Sequence, residues 1–179
     1  CKNLLAAKGF SSSFSSYMIT IAWLGFALGS PLIGYLSDKI RLRKPVLIFS
    51  SMTTLVSLFL IIYMPLSELG AIVVFLSYGF GVGSASVGIA IMAEHFKTNQ
   101  VSSTLGVNNA VTMLSISILA PIISMLLSWN TSNLAHTLTD YQRVFNLLII
   151  MPLMSLLIVL FKIKETFGRS SKEPVVLVY

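Results

Sequence analysis

Charged residues are scarce in this sequence, and the few that occur avoid its longest segments. Only 10% of the 179 residues are Asp, Glu, Lys or Arg and 55% are hydrophobic, whereas a typical soluble domain has roughly 25% charged residues. The mean hydropathy is +0.87. A soluble fold of this length would have too little polar surface to cover itself, so the composition excludes a soluble globular protein and indicates a membrane protein.

Cysteines and the common catalytic motifs are also missing. The single cysteine, Cys1, excludes an intramolecular disulfide and a CxxC metal site. The sequence has no HExxH, no GxSxG and no carboxylate pair at membrane depth. It therefore predicts no enzyme, no cofactor and no metal site.

Five long apolar runs make up most of the sequence, and none contains Asp, Glu, Lys, Arg or His. About 20 helical residues cross the ~30 Å hydrocarbon core of a bilayer. Backbone groups in lipid must be paired, and the runs lack the alternation of barrel strands, so an all-α transmembrane helical bundle is predicted over residues 16–166. The predicted spans are residues 16–37, 45–64, 69–92, 103–127 and 144–161, after an external loop or helix end at 1–15 and before a cytoplasmic tail at 167–179.

Positive charges are divided unequally between the two sides of this predicted bundle. Nine lysines and arginines lie on one side and three on the other, so the positive-inside rule assigns the nine to the cytoplasm of an inner or plasma membrane. The N-terminus is then outside and the C-terminus cytoplasmic. The net charge of +6 has the same explanation, and no nucleic-acid partner is predicted. The nine are Lys39, Arg41, Arg43, Lys44, Lys97, Lys162, Lys164, Arg169 and Lys172; the three are Lys2, Lys8 and Arg143.

The loop between the first two spans has the most specific motif. Residues 34–44 read GYLSDKIRLRK. This stretch resembles the cytoplasmic loop of the major facilitator superfamily, roughly G-x-L-(A/S)-D-(R/K)-x-G-R-(R/K), although Arg41 replaces the usual glycine and Leu42 the first arginine. The predicted gate residues are Gly34, Asp38, Lys39, Arg41, Arg43 and Lys44.

Physical arguments support a gate at this loop. Gly34 permits close helix approach near the membrane surface. Asp38 can pair with a basic residue of the loop while facing the positive end of a neighbouring helix. Such a contact would hold the cytoplasmic side closed. The alternative is a solvated hairpin that serves only the topology.

Other segments resemble the second half of such a transporter. Gly25 and Gly29 form GxxxG, a small-residue face that suits a packed helix, and the third span is rich in glycine. Asn108 and Asn109 with a later Ala-Pro resemble the eleventh helix, and Lys-Glu-Thr at 164–166 resembles the end of the twelfth. The resemblance implies helices eight to twelve, with helices two to six as the alternative.

The resemblance implies a secondary active transporter that moves a small solute by alternating access between two six-helix halves. The implied partners are a small-molecule substrate, membrane lipid and a missing N-terminal half. Polar residues of the spans are candidates for substrate contact, although Ser and Thr in membrane helices more often bond the backbone. A non-functional remnant and a structural or receptor-like bundle are the alternatives. The candidates are Tyr17, Thr20, Trp23, Ser77, Tyr78, Ser84, Ser86, Asn108, Asn109 and Thr112.

Ionisable residues are absent from the five spans, so a proton-coupling carboxylate is not expected within them. Glu94 and His95 follow the third span and are the nearest candidates. Such an interfacial pair is typical of a solvated helix end.

Overall fold

Helices account for nearly all of the chain that the computed structural model describes, which is residues 2–96, 98–129 and 137–165. Within these ranges the chain forms seven α-helices and no strand, which confirms the predicted all-α fold. Cys1, Lys97, Thr166 and the predicted tail at 167–179 lie outside the described residues. The helices are α1 (Lys2–Ala7), α2 (Ser12–Ile40), α3 (Lys44–Tyr63), α4 (Glu68–Val82), α5 (Ala85–His95), α6 (Thr98–Trp129) and α7 (Leu138–Phe161).

Five helical segments are long and apolar enough to cross a membrane, as predicted. They are α2, α3, α4 together with α5, most of α6, and α7. α2 begins before its predicted apolar core because the Ser11 side chain accepts a hydrogen bond from the backbone N–H of Phe14. At the other end it continues through the polar residues Asp38 and Lys39, since a helix can extend into the headgroup region.

The third span is interrupted, although a single helix over residues 69–92 was predicted. α4 ends at Val82 and α5 begins at Ala85. The backbone N–H of Gly83 donates to Phe80 and that of Ser84 to Gly81, at 3.0 and 3.2 Å, with the three-residue spacing of a tighter turn. Glycine favours such a departure because it has low helical propensity.

The most extensive helix contact joins α2 and α4, where glycines of the two helices interlock. A Cβ added to Gly79 would lie 1.9 Å from the carbonyl oxygen of Ala22, and one added to Gly25 would lie 2.3 Å from that of Leu76. Because only hydrogen fits at these positions, the two backbones approach closely. Gly29 and Gly83 belong to the same contact.

Gly34 takes no part in this close approach, so the close helix contact predicted for it is not formed within the described chain. A Cβ added to Gly34 would meet only the Ser86 hydroxyl oxygen, at 3.7 Å, which is ordinary van der Waals contact. The physical reason is that α2 packs extensively on α4 but far less on α5. The helices are therefore less tightly packed at the level of Gly34.

Two apolar clusters stabilise the two ends of the bundle. The first includes the fully buried Leu4 and Leu5 of α1, which pack with residues of α2, α3, α4 and α7. The second includes Ile33 and Val159 and lies near the loop between α2 and α3. α6 contributes little to either cluster, since Leu127 is its only buried residue among those whose burial is described. Most of its apolar surface is left uncovered by the described part of the chain.

Candidate functional site

One arginine and three carboxylates join four segments at one end of the bundle. Arg43 stands at the N-terminus of α3 and is 7% exposed. Its Nη1 donates to the Asp38 carboxylate at 2.6 Å and its Nη2 to the Glu94 carboxylate at 2.8 Å. The Glu165 carboxylate accepts from the backbone N–H of Arg43 at 2.8 Å. We name Asp38, Arg43, Glu94 and Glu165 the Arg43 cluster.

The loop that presents Arg43 is closed by a left-handed residue. Arg41 has φ 54° and ψ 35°, and its backbone N–H donates to the Asp38 carbonyl at 3.3 Å. The following N–H, of Leu42, donates to the Ser37 carbonyl at 3.3 Å. This arrangement ends a helix with a residue in the left-handed region, a conformation that glycine adopts without strain. Arg41 stands where the motif that this loop resembles has glycine, and the positive φ of this residue explains that preference.

Ser37 stabilises the loop through two side-chain hydrogen bonds. It is fully buried, its hydroxyl donates to the Leu42 carbonyl at 3.1 Å, and it accepts from Arg43 Nη1 at 3.1 Å. Burial alone would lower the pKa of Arg43, but its hydrogen bonds to Glu94 and Asp38 outweigh this and raise the pKa above its ordinary value. Arg43 therefore stays positively charged at every physiological pH.

The expectation of a solvated helix end is wrong for Glu94. Its side chain is only 17% exposed, and Nε and Nη2 of Arg43 both donate to the same carboxylate oxygen, at 3.2 and 2.8 Å. The neighbouring His95 remains exposed, and its Nδ1 lies 3.0 Å from the Ile91 carbonyl oxygen. Glu94 differs because its carboxylate faces the buried guanidinium of Arg43.

Glu165 belongs to the Arg43 cluster, although the sequence analysis did not include it among the candidate site residues. Its carboxylate accepts from the N–H groups of Arg43 and Lys44, at 2.8 and 3.1 Å, where the α3 dipole is positive. In return, Lys44 Nζ donates to the Leu160 carbonyl near the end of α7, at 2.8 Å. Asp38 was expected to face such a helix end, yet the carboxylate on the N-terminus of α3 is that of Glu165. The available signal was the Lys-Glu-Thr sequence after the last span.

The other predicted gate residues lie around the cluster or apart from it. Lys39 Nζ stands 6.0 Å from the centroid of the Tyr35 ring, and both Lys39 and Arg41 are exposed. Neither forms an ion pair with any described residue. The structure thus brings together Asp38, Arg43 and Lys44, and leaves Gly34 outside this set.

The substrate-path candidates of α2 and α6 are mostly exposed. Tyr17 and Trp23 are 66% and 67% exposed, and Thr20 lies on the same helix and is also exposed. On α6, Asn109 and Thr112 are exposed and Asn108 is half-buried. In the described chain α6 makes few contacts, mainly with α5 and α7, so these two groups are not brought into one pocket. Thr112 donates to the Asn108 carbonyl at 2.8 Å, as expected for a backbone bond.

The candidates of the third span are half-buried between helices. Tyr78 packs against the first apolar cluster, and Ser77 and Ser84 lie on either side of the glycine contact. The Ser86 hydroxyl is 3.0 Å from the Ser30 carbonyl oxygen of α2. Ser86 therefore joins two helices, which is the structural role that competes with substrate contact.

Comparison with known proteins identifies the family. The model of the Major Facilitator Superfamily matches residues 3–175. Comparison with curated proteins and with solved structures gives no match. Among the described residues, no group of three or more His, Cys, Asp or Glu side chains could hold a metal ion. Because the match spans nearly all of the chain and agrees with five apolar helices, this integral membrane chain belongs to the major facilitator superfamily of transporters.

Proposed function

We propose that this chain supplies helices eight to twelve of an alternating-access transporter for a small solute, and that the Arg43 cluster is its cytoplasmic latch. The observation that supports this most directly is the buried Arg43, which joins the end of α2 to the end of α5 while Glu165 joins α7 to α3. Rigid-body motion of a half requires that its helix ends move together. The cluster supplies that connection at one membrane face.

The two ion pairs of Arg43 have unequal exposure, which suits a latch. The side chain of Glu94 is 17% exposed and that of Asp38 is 64% exposed. An exposed pair contributes about 0–1 kcal/mol, because water and salt screen it, whereas a buried pair is costly to break. The Arg43–Glu94 pair is therefore the permanent part, and the Asp38 carboxylate is the part that can exchange partners when the two halves move.

The charges at the two ends of the bundle support the proposed orientation. The Arg43 end also carries Lys44, whose Nζ bonds near the end of α7, and Lys162 and Lys164 follow directly. At the opposite end Lys8 donates to the carbonyls of Ile61 and Met64, at 2.7 Å each. The strongly basic end is the one that the positive-inside rule assigns to the cytoplasm.

Neutral polar side chains support an uncharged or zwitterionic polar solute as the substrate class. The apolar windows of the spans hold amides and hydroxyls rather than ionised groups. In lipid a half-buried amide such as that of Asn108 requires a hydrogen-bond partner. Its position on α6, a helix that the described chain leaves largely uncovered, suits a surface that faces the other half of the transporter.

Substitution of Asp38 tests the latch. In proteoliposomes of the intact transporter, Asp38→Asn is expected to shift the inward/outward balance toward the open cytoplasmic side by up to about fivefold, since an exposed ion pair contributes up to ~1 kcal/mol. The measurement is thiol labelling of single cysteines placed at each membrane face, together with the initial transport rate. Glu68→Gln, which neutralises an exposed carboxylate at the start of α4, is the matched control. If Asp38→Asn leaves both readouts unchanged, the loop is only a topology signal.

Substitution of Asn108 and Tyr78 tests the substrate path. Asn108→Ala and Tyr78→Phe are each expected to weaken apparent substrate affinity about two- to tenfold, the loss of one neutral hydrogen bond. The measurement is the concentration dependence of uptake for a labelled hexose, a polyol and a zwitterionic amino acid, with surface expression in parallel. Ser115→Ala on α6 is the control, because its hydroxyl bonds the Val111 carbonyl. Unchanged affinity in both variants would remove these residues from the path.

A further inference from the structure

An apolar groove lies between α2 and α3 and begins at the Arg43 end of the bundle. Its volume is about 510 Å³. Between Leu32 and Ile40 the groove follows α2 for about 12 Å, at ~1.5 Å per residue. It therefore starts at the headgroup level and continues into the hydrocarbon region. The side chains that line it include Leu32, Leu36, Ile40, Val46, Phe49 and Phe80.

Two basic residues are chain neighbours of a residue that lines this groove. Lys39 directly precedes the lining residue Ile40, and Arg41 directly follows it. Lys39 Nζ lies 6.0 Å from the ring centroid of Tyr35, which also lines the groove. Both basic residues are exposed, and no ion pair within the described chain neutralises either of them. This end of the groove is therefore positively charged. The nearby carboxylates of Asp38 and Glu94 do not change this, because both form ion pairs with Arg43.

We propose that this groove binds an anionic phospholipid, with one acyl chain against α2 and α3 and the phosphate group against Lys39 and Arg41. The two features point to the same ligand. A concave apolar channel suits a flexible hydrocarbon chain, and a pair of basic residues at its interfacial end suits a negatively charged headgroup. A soluble anion would use only the charges, and a zwitterionic lipid would gain little from them. This site is independent of the proposed latch, since neither basic residue belongs to the Arg43 cluster.

The test is a direct comparison of two lipids on the purified membrane protein in mild detergent. Phosphatidylglycerol and phosphatidylcholine with identical acyl chains are titrated, and the bound lipid is counted by native mass spectrometry. We expect phosphatidylglycerol to bind at least tenfold more tightly. The double variant Lys39→Gln/Arg41→Gln should reduce this preference to about twofold or less. Lys162→Gln/Lys164→Gln, which removes the same charge beyond α7, should keep the preference.

A groove-filling variant tests the acyl-chain part separately. Leu36→Trp places a large side chain in the groove, and it should weaken binding of both lipids while keeping their ratio. The exposed double variant remains informative if the tryptophan variant does not fold, since the side chains of Lys39 and Arg41 are exposed and form no ion pair with any described residue. Three results would each overturn the proposal. They are equal affinity of the protein for the two lipids, an equal loss of the lipid preference in the Lys162/Lys164 control, and displacement of phosphatidylglycerol by millimolar inorganic phosphate. Occupation of the groove by a second copy of the chain, seen as a dimer that excludes lipid, would overturn it too.

Discussion

Replacing Gly79 with alanine is expected to lower the free energy of unfolding by about 3 kcal/mol, the upper end of the cost of overpacking a close contact. The added Cβ would lie 1.9 Å from the carbonyl oxygen of Ala22 and 2.9 Å from the backbone nitrogen of Phe26. Both are backbone atoms of α2, so the helices must separate instead of one side chain moving aside. The contact between α2 and α4, the most extensive in the bundle, would open.

A second glycine of the same span provides the matched control. Gly88 of α5 has no atom within 4 Å of an added Cβ, so Gly88→Ala is expected to leave stability unchanged or to raise it by about 0.5–1 kcal/mol through helix propensity. Gly34→Ala, with its nearest atom at 3.7 Å, should resemble this control. The measurement is the thermal midpoint in detergent, read as the fraction that stays monodisperse in size-exclusion chromatography. If the Gly79→Ala and Gly88→Ala variants have the same thermal midpoint, the close glycine contact between α2 and α4 does not exist in the membrane protein.

Replacing Arg43 with leucine is expected to lower the free energy of unfolding by about 3–5 kcal/mol, the cost of removing one partner of a buried ion pair. The Glu94 carboxylate would stay negatively charged although its side chain is only 17% exposed. It would lose the hydrogen bonds that two nitrogens of the Arg43 guanidinium donate to it. The buried Ser37 hydroxyl would also lose a donor. The ends of α2 and α5 would then be joined only by weaker contacts.

Two further variants separate charge burial from a general effect of losing an arginine. Arg143→Leu removes an exposed arginine from α7 and should change the thermal midpoint little. The double variant Arg43→Leu/Glu94→Leu removes both buried charges and should recover much of the loss, because an apolar pair of similar volume can replace a buried ion pair. Two outcomes would contradict a buried Arg43–Glu94 ion pair. In the first, Arg43→Leu is as stable as Arg143→Leu; in the second, the double variant is less stable than Arg43→Leu.

The location of the membrane spans could be read from the sequence, whereas the contacts of the site could not. A run such as residues 45–64 is apolar over its whole length, and α3 occupies Lys44–Tyr63. The break at Gly83 was not predicted, because glycine is common in continuous membrane helices and the pattern stays apolar through it. Its cause is local propensity combined with the approach of α2, where an added Cβ at Gly83 would lie 2.6 Å from the Ser30 nitrogen.

Part of the Arg43 cluster was predictable because it lies within one loop. Asp38 and Arg43 are five residues apart, so a pair between the aspartate and a loop cation follows from the motif. Glu94 and Glu165 lie 51 and 122 residues from Arg43, and nothing in the local pattern connects them to it. Glu94 was expected to be solvated for this reason, since a charged residue at the end of an apolar helix usually faces water.

By itself the sequence determined that this chain is an all-α membrane protein of the major facilitator superfamily, because solvation by lipid depends on the length and apolarity of each segment and the family motif is local. Only the tertiary structure decided which carboxylates surround Arg43, which glycines of α2 and α4 touch, and that the described part of the chain leaves α6 largely uncovered. These features depend on the approach of residues that are distant in the chain. Such an approach is determined by packing among several helices, which no single segment encodes.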